Sequence, residues 1–237
     1  MRGESFIVTG ATGGLGKTLT RMLLEDGTDV MALYRDDAKY AALKATSEGR
    51  PGRLMGFRGD ASNEEDAKGL VAAAVAAYGK VDALLNIVGG YTGGSLVSET
   101  PVEVLDAMFS LNVRSAFLCS KAVLPHMMER NRGRIVNVSA RTAVVPGRMG
   151  KSSAYSIAKA GVKVLTEALA DEVAKYNINV NCVMPSTIDT EENRANNPKA
   201  DYSRWVPGEQ VAEAILFLAS DRAKPISGAA LPVYGRA

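Results

Sequence analysis

Apolar residues fall in short unbroken runs, separated by longer stretches of helical spacing. SFIVTG (5–10), DVMALY (29–34), RLMGFRG (53–59), ALLNIVG (83–89), RIVNVS (134–139) and NINVNCVMP (177–185) predict strands, and ALPVYG (230–235) predicts a seventh. These runs are apolar on both faces, as in a parallel sheet covered by helices. Helical spacing covers 15–26, 63–78, roughly 101–130, 153–176 and 210–220. Strand followed by helix, repeated, predicts a doubly wound α/β sheet with right-handed crossovers. No repeat, low-complexity tract or linker divides residues 1–237, so a single domain is expected. The least regular stretch, about 186–207, is rich in Asn, Asp, Glu and Pro. A loop that long in a compact domain is usually functional, and here it predicts a lid.

Composition narrows the class without naming the chemistry. With 46% hydrophobic and 23% charged residues the chain is ordinary for a globular protein. A net charge of +2 gives no electrostatic case for nucleic acid or an anionic membrane as partner. No apolar run reaches bilayer length, and MRGESFIVTG lacks the h-region of a signal peptide, so a cytoplasmic location is expected. Cys119 and Cys182 lie far apart and have no metal-ligand spacing; free, reduced thiols and no metal are expected. His126 is the one histidine, at a helix end, which speaks against serine-hydrolase and zinc chemistry.

Two motifs carry the chemistry. VTGATGGLG (8–16) joins the first strand to the first helix. Glycines there let backbone approach a diphosphate, and the helix N-terminus offers unpaired N–H groups to it. This makes a dinucleotide-binding Rossmann fold the expectation, although Gly10-x-x-x-Gly14-x-Gly16 is not the standard Gly-x-Gly-x-x-Gly spacing. The second strand ends near Tyr34 and is followed by Arg35, Asp36 and Asp37. The tip of that strand meets the adenosine ribose, where an acid holds a 2′-hydroxyl and an arginine holds a 2′-phosphate. Arg35 lies nearer the strand end, which favours NADP(H) over NAD(H); Asp36, about 20 residues past the glycines, is the counter-argument. Farther on, Tyr155 and Lys159 stand at i and i+4 on a helix, so they share a face. An ammonium beside a phenol favours the phenolate and brings its pKa from about 10 towards the working range. Alone, the pair is equally at home on a solvated surface.

Together the motifs make the chain similar to the short-chain dehydrogenase/reductase family, over essentially all 237 residues. The resemblance implies hydride transfer between a nicotinamide dinucleotide and a small-molecule carbonyl or conjugated-ring substrate. It implies Tyr155 as general acid/base, Lys159 as its partner and ribose contact, and Asn112 of SLNVRSAF as the fourth member of the catalytic set. Gly10, Thr12, Gly14, Leu15 and Gly16 match the cofactor turn, and Asp60 and Ala61 the adenine contact. Asn86 and Gly89 match the family's Asn-Asn-Ala-Gly segment, in which Ile87 and Val88 depart from it. Pro185, Ile188 and Thr190 match the nicotinamide clasp, with Ser186 replacing the usual glycine. Family members end the fifth strand with a catalytic serine. Here the strand register puts Ala140 at that position, while Thr142 comes nearer the spacing to tyrosine. Ser139, Thr142 or no hydroxyl therefore remain as alternatives for the substrate-oxygen donor, with Ser139 taken as the candidate. The lid is similar to that of dihydropteridine reductases at Thr190, Asn193, Arg194, Pro198, Ala200, Asp201, Ser203, Trp205 and Pro207. That implies a pterin-type substrate as one alternative, with Trp205 either stacked on the ring or anchoring the lid. A dinucleotide sensor without turnover, favoured by Ala140, is another. By family likeness, the long helices near 101–130 and 153–176 would pair with copies in a homodimer or homotetramer.

Overall fold

The computed structural model describes residues 1–145 and 149–236. Nine strands and eight α-helices alternate along it. The strands are β1 (Ser5–Thr9), β2 (Asp29–Tyr34), β3 (Leu54–Arg58), β4 (Ala83–Asn86), β5 (Gly133–Val138), β6 (Ile178–Pro185), β7 (Ile188–Asp189), β8 (Val206–Pro207) and β9 (Ala230–Val233). The helices are α1 (Gly14–Glu25), α2 (Asp37–Ala45), α3 (Glu64–Tyr78), α4 (Val102–Met108), α5 (Ser115–Glu129), α6 (Ser153–Glu172), α7 (Glu191–Asn196) and α8 (Gly208–Leu218).

Seven strands form one all-parallel sheet in the order β3-β2-β1-β4-β5-β6-β9. Its central strands are buried on both faces because α1 and α8 cover one side and α3, α5 and α6 the other. Leu19, Leu23, Val211 and Ile215 pack on the first face with Val8 and Val136. Leu70, Val123, Met127 and Leu169 pack on the second with Ile7 and Ile135. The doubly wound, seven-stranded α/β architecture expected from the apolar runs is the one observed. The strand order reverses between β1 and β4, and open α/β sheets receive ligands in the crevice at the carboxyl ends of the strands beside such a reversal.

Several boundaries differ from the sequence reading. Strand β4 stops at Asn86 rather than running to 89, because Ile87 and Val88 turn their N–H groups onto Thr9 Oγ1 at 3.0 and 3.2 Å instead of a neighbouring strand. The expected helix 101–130 is α4 and α5 joined by a π-helical segment, Phe109–Arg114. Helix α6 ends at Glu172, short of 176. Helix α2, absent from the assigned helices, is capped by Asp36, whose carboxylate accepts from Lys39 N at 3.0 Å. The segment expected as an irregular lid holds local order: β7 pairs with β8 in parallel, and α7 lies between them.

Candidate active site

The turn after β1 is shaped by close contacts that only glycine permits. Gly10 has φ +65, and a Cβ there would lie 3.1 Å from Val88 N. A Cβ on Gly16 would lie 2.1 Å from Gly10 O, so α1 starts flush against the turn. A Cβ on Gly14 would strike the Thr190 side chain at 2.8 Å, so the segment after β7 lies against the helix start. Helix α1 has no side-chain cap at Gly13 and no acid in its first turn. Its leading N–H groups and partial positive charge therefore face the crevice uncompensated, a fit for a diphosphate. Thr12 is half-buried in the turn, and Leu15 anchors the helix start in the core.

At the adenosine end Arg35 is exposed, with its Nη1 3.6 Å from Asp60 Oδ2. Asp60 Oδ1 accepts from the Ser62 N–H and hydroxyl, both at 2.8 Å. Burial raises the Asp60 pKa, but the Ser62 bonds and Arg35 outweigh it, and the carboxyl is held below its usual range. Ala61 is buried beside it. Asp36 is engaged as the cap of α2.

The proton-transfer candidates converge at the far side of the crevice. Lys159, buried on α6, donates from Nζ to Val138 O at 2.8 Å. Its amine lies 5.9 Å from the Tyr155 ring centroid. A Cβ on Gly89 would lie 2.8 Å from Asn112 Oδ1 and 3.0 Å from Lys159 Nζ, so these three residues meet at one point. Asn112 sits where the helix widens into its π segment, and a π-bulge of this kind often marks a functional position. Its amide donates to Met108 O at 2.9 Å and Gly90 O at 3.2 Å, and its Oδ1 accepts from Gly90 N. Burial pushes the Tyr155 phenol up to about 12, with Tyr91 adding to the rise, and burial pushes Lys159 down to about 8. The lowering of the phenol expected from the sequence is thus not seen: burial and Tyr91 both raise it, and the Lys159 amine is not among the groups that shift it. Tyr91, which sequence patterns did not single out, stands edge-on to Tyr155 with ring centroids 5.0 Å apart. Only its flanking glycines signal a special position. A small cleft of about 40 Å³ lined by Thr92, Pro101, Val104 and Ser152 adjoins the start of α6.

Two candidate residues face inward. Ser139 is buried and its hydroxyl donates to Lys159 O at 2.7 Å. The Asn86 amide donates to Asn137 Oδ1 at 2.8 Å and Ser120 Oγ at 3.2 Å, and Asn137 in turn donates to Thr166 Oγ1 at 2.9 Å. This buried chain ties β4 and β5 to α5 and α6. Pro185 ends β6, and Ser186 Oγ donates to Tyr234 O at 2.8 Å. At the base of the lid Thr190 caps α7, and Ile188 O accepts from Asn193 Nδ2 at 2.8 Å. Trp205 packs on Tyr202 within the same segment, ring centroids 4.8 Å apart. His126 Nε2 accepts from Val81 N at 3.1 Å, a structural bond. Both cysteines are free and buried, and among the described residues no cluster of potential metal ligands occurs. Among the described residues no helix is long and apolar enough to cross a membrane.

The family model described as short chain dehydrogenase matches residues 4–201. A 3-oxoacyl-[acyl-carrier-protein] reductase of Thermotoga maritima is 31% identical, covering 99% of this chain and 98% of its own length. The 2-(R)-hydroxypropyl-CoM dehydrogenase of Xanthobacter autotrophicus is 33% identical over 97% of this chain and 96% of the relative. Among solved structures, a putative short-chain dehydrogenase/reductase from Burkholderia xenovorans superposes with a TM-score of 0.91 at 30% identity, covering 99% of this chain and 96% of that one. ElxO with NADP bound superposes with a TM-score of 0.92 at 25% identity, covering 99% and 98%.

Proposed function

Because the chain belongs to the short-chain dehydrogenase family, we propose that it is an NAD(P)H-dependent oxidoreductase acting on a small carbonyl or conjugated-ring compound, with Tyr155 as general acid/base. The observation that carries this reading is the meeting of Gly89, Asn112 and Lys159 one helical turn from Tyr155, across the crevice from the uncapped start of α1. A dinucleotide bound along that crevice supplies or takes up the hydride. The rest belongs to the chain's own residues. Gly10, Thr12, Gly14, Leu15 and Gly16 shape the diphosphate cradle. Asp60 and Ala61 border the adenine, and Gly89, Pro185, Ile188 and Thr190 border the nicotinamide side, with Asn86 holding that edge from inside.

At neutral pH the Tyr155 phenol is protonated, the form that gives a proton to a carbonyl oxygen as its carbon becomes tetrahedral. Lys159, charged below about pH 8, stabilises the phenolate left behind and would hold the nicotinamide ribose of a bound dinucleotide. Asn112 fixes the Gly90 backbone and keeps the wall of the site open. Ser139 acts through Lys159 O, by holding α6 against β5, rather than by touching substrate.

The exposed Arg35 at the end of β2, set against an Asp36 already engaged as a cap, supports NADP(H) over NAD(H). Exposed apolar side chains on α5 and α6, among them Phe117 and Val164, support a homodimer or homotetramer. The decisive assay follows oxidation of NADPH and of NADH against a panel of carbonyls and quinonoid pterins. Tyr155→Phe should lower kcat by at least about 100-fold, the usual weight of a general acid, while the dinucleotide still raises Tm. Undiminished turnover would refute the role.

A further inference from the structure

Native proteins rarely leave buried polar atoms unpaired, and each exception asks for a partner. Among the described residues two such atoms belong to consecutive residues: Arg141 Nε and Thr142 Oγ1. Other arginines with an orphan Nε have their charge answered. Arg50 Nε faces Glu25 at 3.5 Å, and Arg134 reaches Asp221 at 2.9 Å. Arg141 pairs with no carboxylate among the described residues; its guanidinium lies on the Tyr234 ring, 5.2 Å from the centroid.

The position of this pair is informative. The short 3-10 turn Arg141–Ala143 directly follows Ser139–Ala140 at the end of β5 and packs on α6, which carries Tyr155. Tyr234, on the other side, is bonded through its carbonyl to Ser186, where the chain leaves β6 for the lid. The turn that carries Arg141 thus lies at the carboxyl edge of the sheet, where open α/β sheets take their ligands, and its guanidinium reaches Tyr234, whose carbonyl holds Ser186 after β6. Arg141 is half-buried, and the Nε edge of its guanidinium is shut off from water without a partner, so the place calls for an anion. The unpartnered Nε belongs to the edge of the guanidinium that offers two parallel N–H donors, the geometry that matches a carboxylate. The Thr142 hydroxyl adds a third donor.

We propose that Arg141, with Thr142 beside it, is the specificity determinant of this site and binds a carboxylate on the carbonyl substrate. The proposal rests on the oxidoreductase reading of Tyr155. Its test uses the full-length protein with saturating NADPH and NADH, and compares pyruvate, acetoacetate and levulinate with their methyl esters. At least one acid should exceed its ester in kcat/KM by about 10-fold or more. Arg141→Met should cut that acid by about 100-fold, the scale of a lost buried charge pair, and leave ester turnover and dinucleotide affinity within about 2-fold. Arg141→Lys, which keeps the charge but not the fork, should recover part of the loss and controls for folding. The idea is overturned if no acid outperforms its ester, or if Arg141→Met slows acids and esters alike or slows neither. Binding separates this from the assigned role of Tyr155. In Tyr155→Phe the acid should still raise the Tm of the dinucleotide complex, and in Arg141→Met it should not. Turnover persisting in Tyr155→Phe would sink the general-acid role alone, whereas an acid that gives no Arg141-dependent shift would sink the subsite alone.

Discussion

At the scale of single residues, the site stores its chemistry in desolvated groups. Lys159 has a pKa of about 8 because burial disfavours its charge, against 10.5 in the unfolded chain. Between those values the unfolded chain binds the proton and the folded one does not, so this residue makes stability rise with pH across that window. Below pH 8 both states are charged and the penalty, about 3 kcal/mol for a shift of this size, is fully present. Lys159→Met should therefore make the cofactor-free protein more stable than wild type at pH 7. That advantage should shrink as pH rises from 8 and be gone above about 10.5, read by urea unfolding at each pH. A gap that stays constant with pH would mean that the amine is not desolvated as described. The pairing of Tyr155 with Lys159 was visible in the sequence because i and i+4 share a helix face. The inward turn of Ser139 was not, because which way a strand-end side chain points depends on where pairing stops, and a one-residue slip reverses it.

Among the elements, the strands were legible because both faces are covered, which leaves unbroken apolar runs such as Ile178–Pro185. Helix α2 was not: it buries only Leu43, so its periodicity is faint. The π segment escaped because it alters an otherwise helical pattern by one residue, and the β7–β8 pair because two residues carry no period. The join between β1 and α1 is the least tolerant element boundary. Gly16→Ala would force a Cβ to within 2.1 Å of backbone at Gly10, where no flexible side chain can yield. It should lower unfolding stability by about 2 kcal/mol, the usual cost of overpacking. Dinucleotide affinity should fall at least 10-fold, roughly the effect of displacing the helix start by a fraction of an ångström. Isothermal titration beside denaturant unfolding checks both, and retained affinity would show that the cradle is not built from this contact.

For the whole molecule, the sheet sorts its tasks by edge. The candidate site residues gather at the carboxyl ends of the strands, and apolar surface is left over on the outer helices. Phe109, Phe117, Ile157 and Val164 are each more than 40% exposed, an unusual concentration of large apolar groups for an isolated subunit. Sedimentation should show a dimer or tetramer, and Phe117→Asp with Val164→Asp should shift it to monomer; a wild-type monomer at micromolar concentration would refute the assembly. The short β7–β8 ladder bears on how such a chain diversifies. By pinning both roots of the segment from Thr190 to Trp205 to each other, it makes everything beyond the roots a detachable cap. Residues 191–204 are then the stretch to exchange for that of a relative: the pairing of Ile188 with Val206 and Asp189 with Pro207 lies outside it, so a graft should leave the sheet and the glycine turn in place while the appetite changes.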